Sequence, residues 1–149
     1  QFIWQTGKYY YPQVTEAVRA AGKLPNLYVT DFIKDMAAAY AASDLVISRA
    51  GAGSISEFCL LHKPVVLVPS PNVAEDHQTK NALALVDKQA AIYVKDSEAE
   101  AKLMDVALKT VADDQKLKEL SDNIAKLALP DSARIIAQEV IKLAETENK

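Results

Sequence analysis

Short apolar runs alternate with amphipathic segments along most of this chain. Phe2-Ile3-Trp4-Gln5 reads as a strand closed by Thr6-Gly7. Pro12 fits an early helical position, and Val14–Ala21 continues as a helix that Gly22 stops. Asn26–Thr30 is a second strand, and Asp31-Phe32-Ile33-Lys34 a loop. Asp35–Ala42 is a short helix with Met36, Ala37, Tyr40 and Ala41 on one face. Leu45–Ser48 is a third strand. Pro64–Pro69 is a fourth, apolar throughout, as expected of a parallel strand covered on both faces. Helices are predicted over Ser54–His62 and Glu75–Lys88, with a Pro-containing loop over Ser70–Ala74 and a fifth strand over Ala91–Val94. Strand and helix thus alternate, which predicts a Rossmann-like α/β domain: a parallel sheet of about five strands with right-handed crossovers and flanking helices.

After Lys95 the strand pattern stops and a helical C-terminal tail follows. One helix covers Ser97–Val111, capped by Ser97 or Asp96. The next, Asp113–Leu127, carries Leu117, Leu120, Ile124 and Leu127 in one stripe. Pro130-Asp131-Ser132 opens a last helix with Ile135, Ile136, Val140 and Ile141, and the polar end Glu145–Lys149 is expected to fray.

The 149 residues, half of them hydrophobic and 25% charged, suit a single globular domain over 1–149. A net charge of −3 gives no support for nucleic-acid binding. Cys59 is the one cysteine, so no internal disulfide is possible; its apolar neighbours predict a buried thiol and fit a reducing compartment. No apolar run reaches the ~20 residues of a membrane span, and no signal-peptide pattern is present. The chain opens inside a strand without an initiator Met, as expected of a fragment.

In open α/β sheets ligands sit beyond the carboxyl ends of the strands. Four loops lie on that edge: Thr6-Gly7-Lys8, Phe32-Ile33, Ser48–Ser54 and Pro69–His77. The run Ser48-Arg49-Ala50-Gly51-Ala52-Gly53-Ser54-Ile55-Ser56-Glu57 joins a strand to a helix through small residues. Such a turn leaves free N–H groups at the helix start, suited to a phosphate, and Gly53 would let the backbone approach closely. The competing reading is a capping box, because Ser54-x-x-Glu57 has the S/T-x-x-E form. Taken alone, the segment favours the box. Glu57 divides the two readings: folded back on the cap, or turned outward toward hydroxyls.

The run Glu75-Asp76-His77-Gln78-Thr79-Lys80-Asn81 opens the next helix. Its acidic residues suit the helix dipole and need no further role. His77 and Gln78 both donate and accept hydrogen bonds, as a sugar requires, although an exposed helix start explains them equally well. His62 fits a helix end. Two histidines without a carboxylate or thiolate cluster do not suggest zinc. No P-loop is present, and Gly51-x-Gly53 lacks the third glycine of a dinucleotide fingerprint. Tyr9-Tyr10-Tyr11 is expected to pack on the sheet, the alternative being an exposed aromatic patch that could bind a partner.

Four ordered blocks carry a resemblance that covers nearly the whole chain. They are Trp4-Gln5-Thr6-Gly7-Lys8, Val29-Thr30-Asp31-Phe32-Ile33-Lys34-Asp35-Met36, Ser48–Glu57, and Asp76-His77-Gln78-x-x-Asn81-Ala82, followed by Pro130-Asp131. In these the chain resembles the C-terminal, donor-binding half of GT-B glycosyltransferases, most closely those that form lipid II in peptidoglycan synthesis. The resemblance implies UDP-N-acetylglucosamine as donor and transfer with inversion, without a cofactor or catalytic metal. Uracil would meet backbone groups of Ile33, and the diphosphate would meet Ala52, Gly53 and Ser54. Glu57 would hold the ribose, and His77, Gln78 and Asn81 the sugar. The same resemblance places catalytic residues, the lipid I acceptor site and the membrane-facing surface in an N-terminal domain outside this chain. The whole enzyme would then be cytoplasmic and peripheral on the inner face of the bacterial membrane.

The resemblance also implies that the first, central strand of this half-fold and its Gly-rich loop are missing. A sheet without that strand exposes edges, so a gap, self-pairing or strand exchange between copies is expected. The chain alone is expected to lack transferase activity. Two alternatives remain: the donor subunit or domain of another glycolipid-forming GT-B enzyme, and a nonenzymatic doubly wound binding module.

Overall fold

A computed structural model describes residues 1–72 and 76–147. The chain clusters into two compact units, Gln1–Ser43 and Asp44–Lys149.

The first unit contains β1 (Phe2–Gln5), α1 (Gly7–Ala20), β2 (Leu27–Thr30) and α2 (Met36–Ala42). β1 and β2 pair in parallel, from Phe2 opposite Leu27 to Gln5 opposite Thr30. Gly7 turns the chain from β1 into α1 at a φ of +74°, a conformation that favours glycine. The helix therefore starts earlier than expected, and Pro12 lies inside it. The hydrogen bond Pro12 cannot make is one that Lys8, exposed in the first turn, would have received. The early start also decides the tyrosines. Tyr11, Val14, Thr15 and Val18 form the half-buried stripe. Tyr9 and Tyr10 do not pack on the sheet as expected; they are 85% and 57% exposed and meet edge to face. α2 begins where Asp35 caps it, its carboxylate accepting the Ala38 N–H at 2.9 Å.

The second unit contains β3 (Val46–Ser48), α3 (Ala52–Leu61), β4 (Val65–Leu67), α4 (His77–Val86), β5 (Ile92–Tyr93), α5 (Asp96–Val111), α6 (Asp114–Ala125) and α7 (Ser132–Glu147). Its sheet has the order β3-β4-β5, all parallel. β4 is central and fully buried, as its unbroken apolar run predicts. Val66, Val68 and Val94 form a core cluster, with Ala99, Leu103 and Val106 of α5 packed against it. Leu120 and Ile124 of α6 are fully buried, and α6 contacts both α3 and α5. α7 differs: Ile135, Ile136, Val140 and Ile141 all remain exposed.

The five predicted strands all form, but in two separately hydrogen-bonded sheets, β1-β2 and β3-β4-β5. Among the described residues no pairing joins them. Three further helix starts differ from expectation. α3 begins at Ala52 rather than Ser54, and α4 at His77 with Asp76 as N-cap. Glu75, taken as the start of that helix, lies outside the described residues, as does the end of the loop before it. α5 has Lys95 at its N-cap, so neither Ser97 nor Asp96 caps it.

Candidate functional site

The N-cap of α3 is Gly51, in extended backbone, and no side chain caps the helix. The first helical hydrogen bond runs from the Ile55 N–H to the Gly51 carbonyl at 3.0 Å. Ser54 is thus the third helical residue, not the cap, and the capping-box reading is overturned. β3 ends at Ser48, and the helix starts as soon as the buried Ala50 has been turned. Among the described residues, the N–H groups of Ala52, Gly53 and Ser54 have no protein acceptor. They are the orphan donors of a helix start, at the positive end of its dipole.

Among the described residues, a Cβ at Gly51 or Gly53 would meet nothing within 4 Å, and neither backbone is left-handed. Among the described residues, neither packing nor backbone conformation requires glycine here. Glu57 lies four residues beyond Gly53, on the same helix face, and is exposed. Phe58 and Cys59, next in sequence, turn inward and are buried. Burial pushes the Cys59 thiol above its ordinary range, which suits an inert core residue.

These features predict a divergence for Gly53→Ala. Stability should be unchanged or rise by up to about 1 kcal/mol, because alanine is the better helix former. Binding of a nucleoside diphosphate should weaken about tenfold, because the methyl group occupies the space a ligand would enter. Denaturant titration and UDP titration of the same variant check both halves. Unchanged UDP binding would remove Gly53 from the site.

α4 brings its residues to the turn ahead of α3. Gln78 Oε1 accepts the Ala50 N–H at 3.2 Å and the Ser70 N–H at 2.9 Å. Asn81 Nδ2 donates to the Ala50 carbonyl at 3.1 Å. His77 heads the helix and is exposed. Asp76, before it, has a φ of +52°, and its carboxylate accepts from the Thr79 hydroxyl at 2.7 Å. The structure thus joins Gln78 and Asn81 of α4 to Ala50, just ahead of the start of α3 that carries Ala52, Gly53 and Ser54. Ile33 belongs to the first unit. Its N–H donates to Gln5 Oε1 at 2.8 Å, so a ligand using that N–H would displace Gln5.

Arg49 was given no role by sequence reasoning. Its guanidinium donates to the carbonyls of Val68 and Pro69 at 3.1 and 3.3 Å and pairs with Asp96 at the start of α5. It ties the exits of β3 and β4 to the next helix. Asp96 lies 47 residues away in sequence, so no local pattern could have flagged the pair. Among the described residues, no group of three or more His, Cys, Asp or Glu side chains could hold a metal ion.

Residues 1–136 match the Glycosyltransferase family 28 C-terminal domain. The chain is 97% identical, over 148 residues, to a Bacteroides thetaiotaomicron protein named UDP-N-acetylglucosamine--N-acetylmuramyl-(pentapeptide) pyrophosphoryl-undecaprenol N-acetylglucosamine transferase; the match covers 99% of this chain and 40% of that protein. A Phocaeicola vulgatus protein of the same name is 68% identical over 149 residues, covering 100% of this chain and 40% of its own length. The crystal structure of Acinetobacter baumannii MurG matches with a TM-score of 0.82 at 30% identity, covering 94% of this chain and 42% of that one. This chain therefore spans about 40% of the length of these curated relatives. With most of its length matched and its parallel α/β architecture reproduced in a solved relative, the chain belongs to the glycosyltransferase family 28 C-terminal domain family.

Proposed function

We propose that this chain is the donor-binding part of an inverting glycosyltransferase. The donor is UDP-N-acetylglucosamine. The acceptor is undecaprenyl-diphospho-N-acetylmuramoyl-pentapeptide (lipid I), and the product is lipid II of peptidoglycan synthesis. The observation that carries the reading is the open start of α3, with the N–H groups of Ala52, Gly53 and Ser54 unpartnered among the described residues. A diphosphate would complete those donors. As UDP departs, the same N–H groups and the helix dipole would stabilise its charge without a metal. The names and identities of the relatives favour this donor and acceptor over the other GT-B and nonenzymatic readings.

In this reading residues 1–149 work as one donor domain. Glu57 accepts from the ribose hydroxyls, His77, Gln78 and Asn81 face the sugar, and backbone groups of Ile33 meet uracil. The general base and lipid I site belong to an N-terminal domain, and the whole enzyme works peripherally at the inner face of the cell membrane. Among the described residues, no helix is long and apolar enough to cross a membrane. The chain alone should show no turnover. The exposed apolar strand β1, with Phe2, Ile3 and Trp4 each 40–50% exposed, favours self-association of the isolated chain.

Titration with uridine, UDP and UDP-N-acetylglucosamine tests the reading. The two diphosphates should bind at least about tenfold more tightly than uridine, since only they complete the α3 donors. Equal binding of all three, or none, would overturn it.

A further inference from the structure

Gln78 and Asn81 face the sugar in the reading above, yet the bonds they make point elsewhere. Ala50 is fully buried, and α4 holds both of its backbone polar groups: Gln78 Oε1 takes the N–H, and Asn81 Nδ2 holds the carbonyl. The Ala50 carbonyl shares its peptide plane with the Gly51 N–H. Gly51 is the N-cap of α3. Fixing that plane fixes the direction in which α3 sets out, and so where the N–H groups of Ala52, Gly53 and Ser54 point. The same Gln78 oxygen holds the Ser70 N–H, tying the loop after β4 to the turn after β3. A buried backbone group without such a partner is strongly disfavoured, so the turn depends on both side chains.

We propose that Gln78 and Asn81 are positioning residues that aim the diphosphate-binding start of α3 through Ala50. This rests on the donor-site reading above and deepens it. The bonds that do the positioning are Gln78 Oε1 as acceptor and Asn81 Nδ2 as donor. The first turn of α4 and the first turn of α3 then behave as one body. The diphosphate and the sugar cannot be recognised independently.

The test is calorimetric titration of the protein and its Gln78→Met and Asn81→Ser variants with UDP and with UDP-N-acetylglucosamine. Methionine keeps the length of Gln78 without its acceptor, and serine shortens Asn81 while leaving room for water. Positioning predicts that each variant weakens UDP, which carries no sugar to contact either side chain, by about tenfold, and weakens UDP-N-acetylglucosamine by at least the same factor. In the amide spectrum, the resonances of Ala52, Gly53 and Ser54 should shift in both ligand-free variants. A variant that binds UDP as the parent does, whether or not it loses affinity for the sugar nucleotide, would overturn the proposal. If the unsubstituted protein bound no UDP, the donor-site reading itself would fall, and this inference with it.

Discussion

Replacing Glu57 with alanine is expected to weaken UDP binding by about 100-fold and to leave folding stability within about 0.5 kcal/mol of the parent. Glu57 is exposed on α3, one turn beyond Gly53 on the same face. Gly51 rather than Ser54 is the N-cap of α3, so Glu57 is not the partner in a capping box. A carboxylate accepting from two ribose hydroxyls makes two charge-assisted hydrogen bonds, each contributing about 1.5–3 kcal/mol. Loss of about 3 kcal/mol corresponds to the 100-fold effect. Titration of the variant with UDP and with a 2′,3′-dideoxy analogue separates the causes. The variant should no longer distinguish the two ligands, whereas the parent should. An unchanged UDP isotherm would sink the ribose role.

The adjacent substitution, Phe58→Ala, should do the reverse and destabilise the second unit by about 3–5 kcal/mol. Phe58 is 1% exposed and belongs to the largest fully buried side chains of the chain. It sits on the inner face of α3, the helix that packs on α6, where Leu120 and Ile124 are fully buried. Truncation removes the transfer free energy of the ring and leaves a cavity that close-packed neighbours fill only in part. Trp4 lies in the first unit, so its fluorescence is the wrong probe. Hydrogen exchange at the Val65–Leu67 amides, central in the sheet, reports the second unit directly. A loss of protection below about 1 kcal/mol would contradict the packing assigned to this residue. The two substitutions are expected to separate binding from stability because adjacent residues lie about 100° apart around a helix, which leaves Glu57 exposed and Phe58 buried.

Element type was legible wherever the apolar pattern was strong. The wholly apolar β4 and the α6 stripe behave as read, with Leu120 and Ile124 buried and Leu117 and Leu127 half-buried. The small-residue turn between a strand and a helix was legible too, from Ser48 to Ala52. Helix starts were not. Ser54 has the right residue type for a cap, but a cap is defined by backbone geometry, and Gly51 took the position. Sequence also could not show that Tyr9 and Tyr10 face outward, because that follows from a start at Gly7 rather than near Pro12. Nor could it assign Arg49 to Asp96, or Gln78 and Asn81 to Ala50, since those partners are brought together only by the order of the strands.

By itself, the sequence determined the alternation of parallel strands and helices and the residues capable of donor chemistry. Both follow from local periodicity and side-chain type, which need no knowledge of distant partners. Tertiary structure decided which of those residues remain exposed and which hold the backbone. Buried N–H and C=O groups must find partners. In this fold the buried polar groups of Ala50 lie against α4, so Gln78 and Asn81 are drawn into the scaffold and the start of α3 is left open.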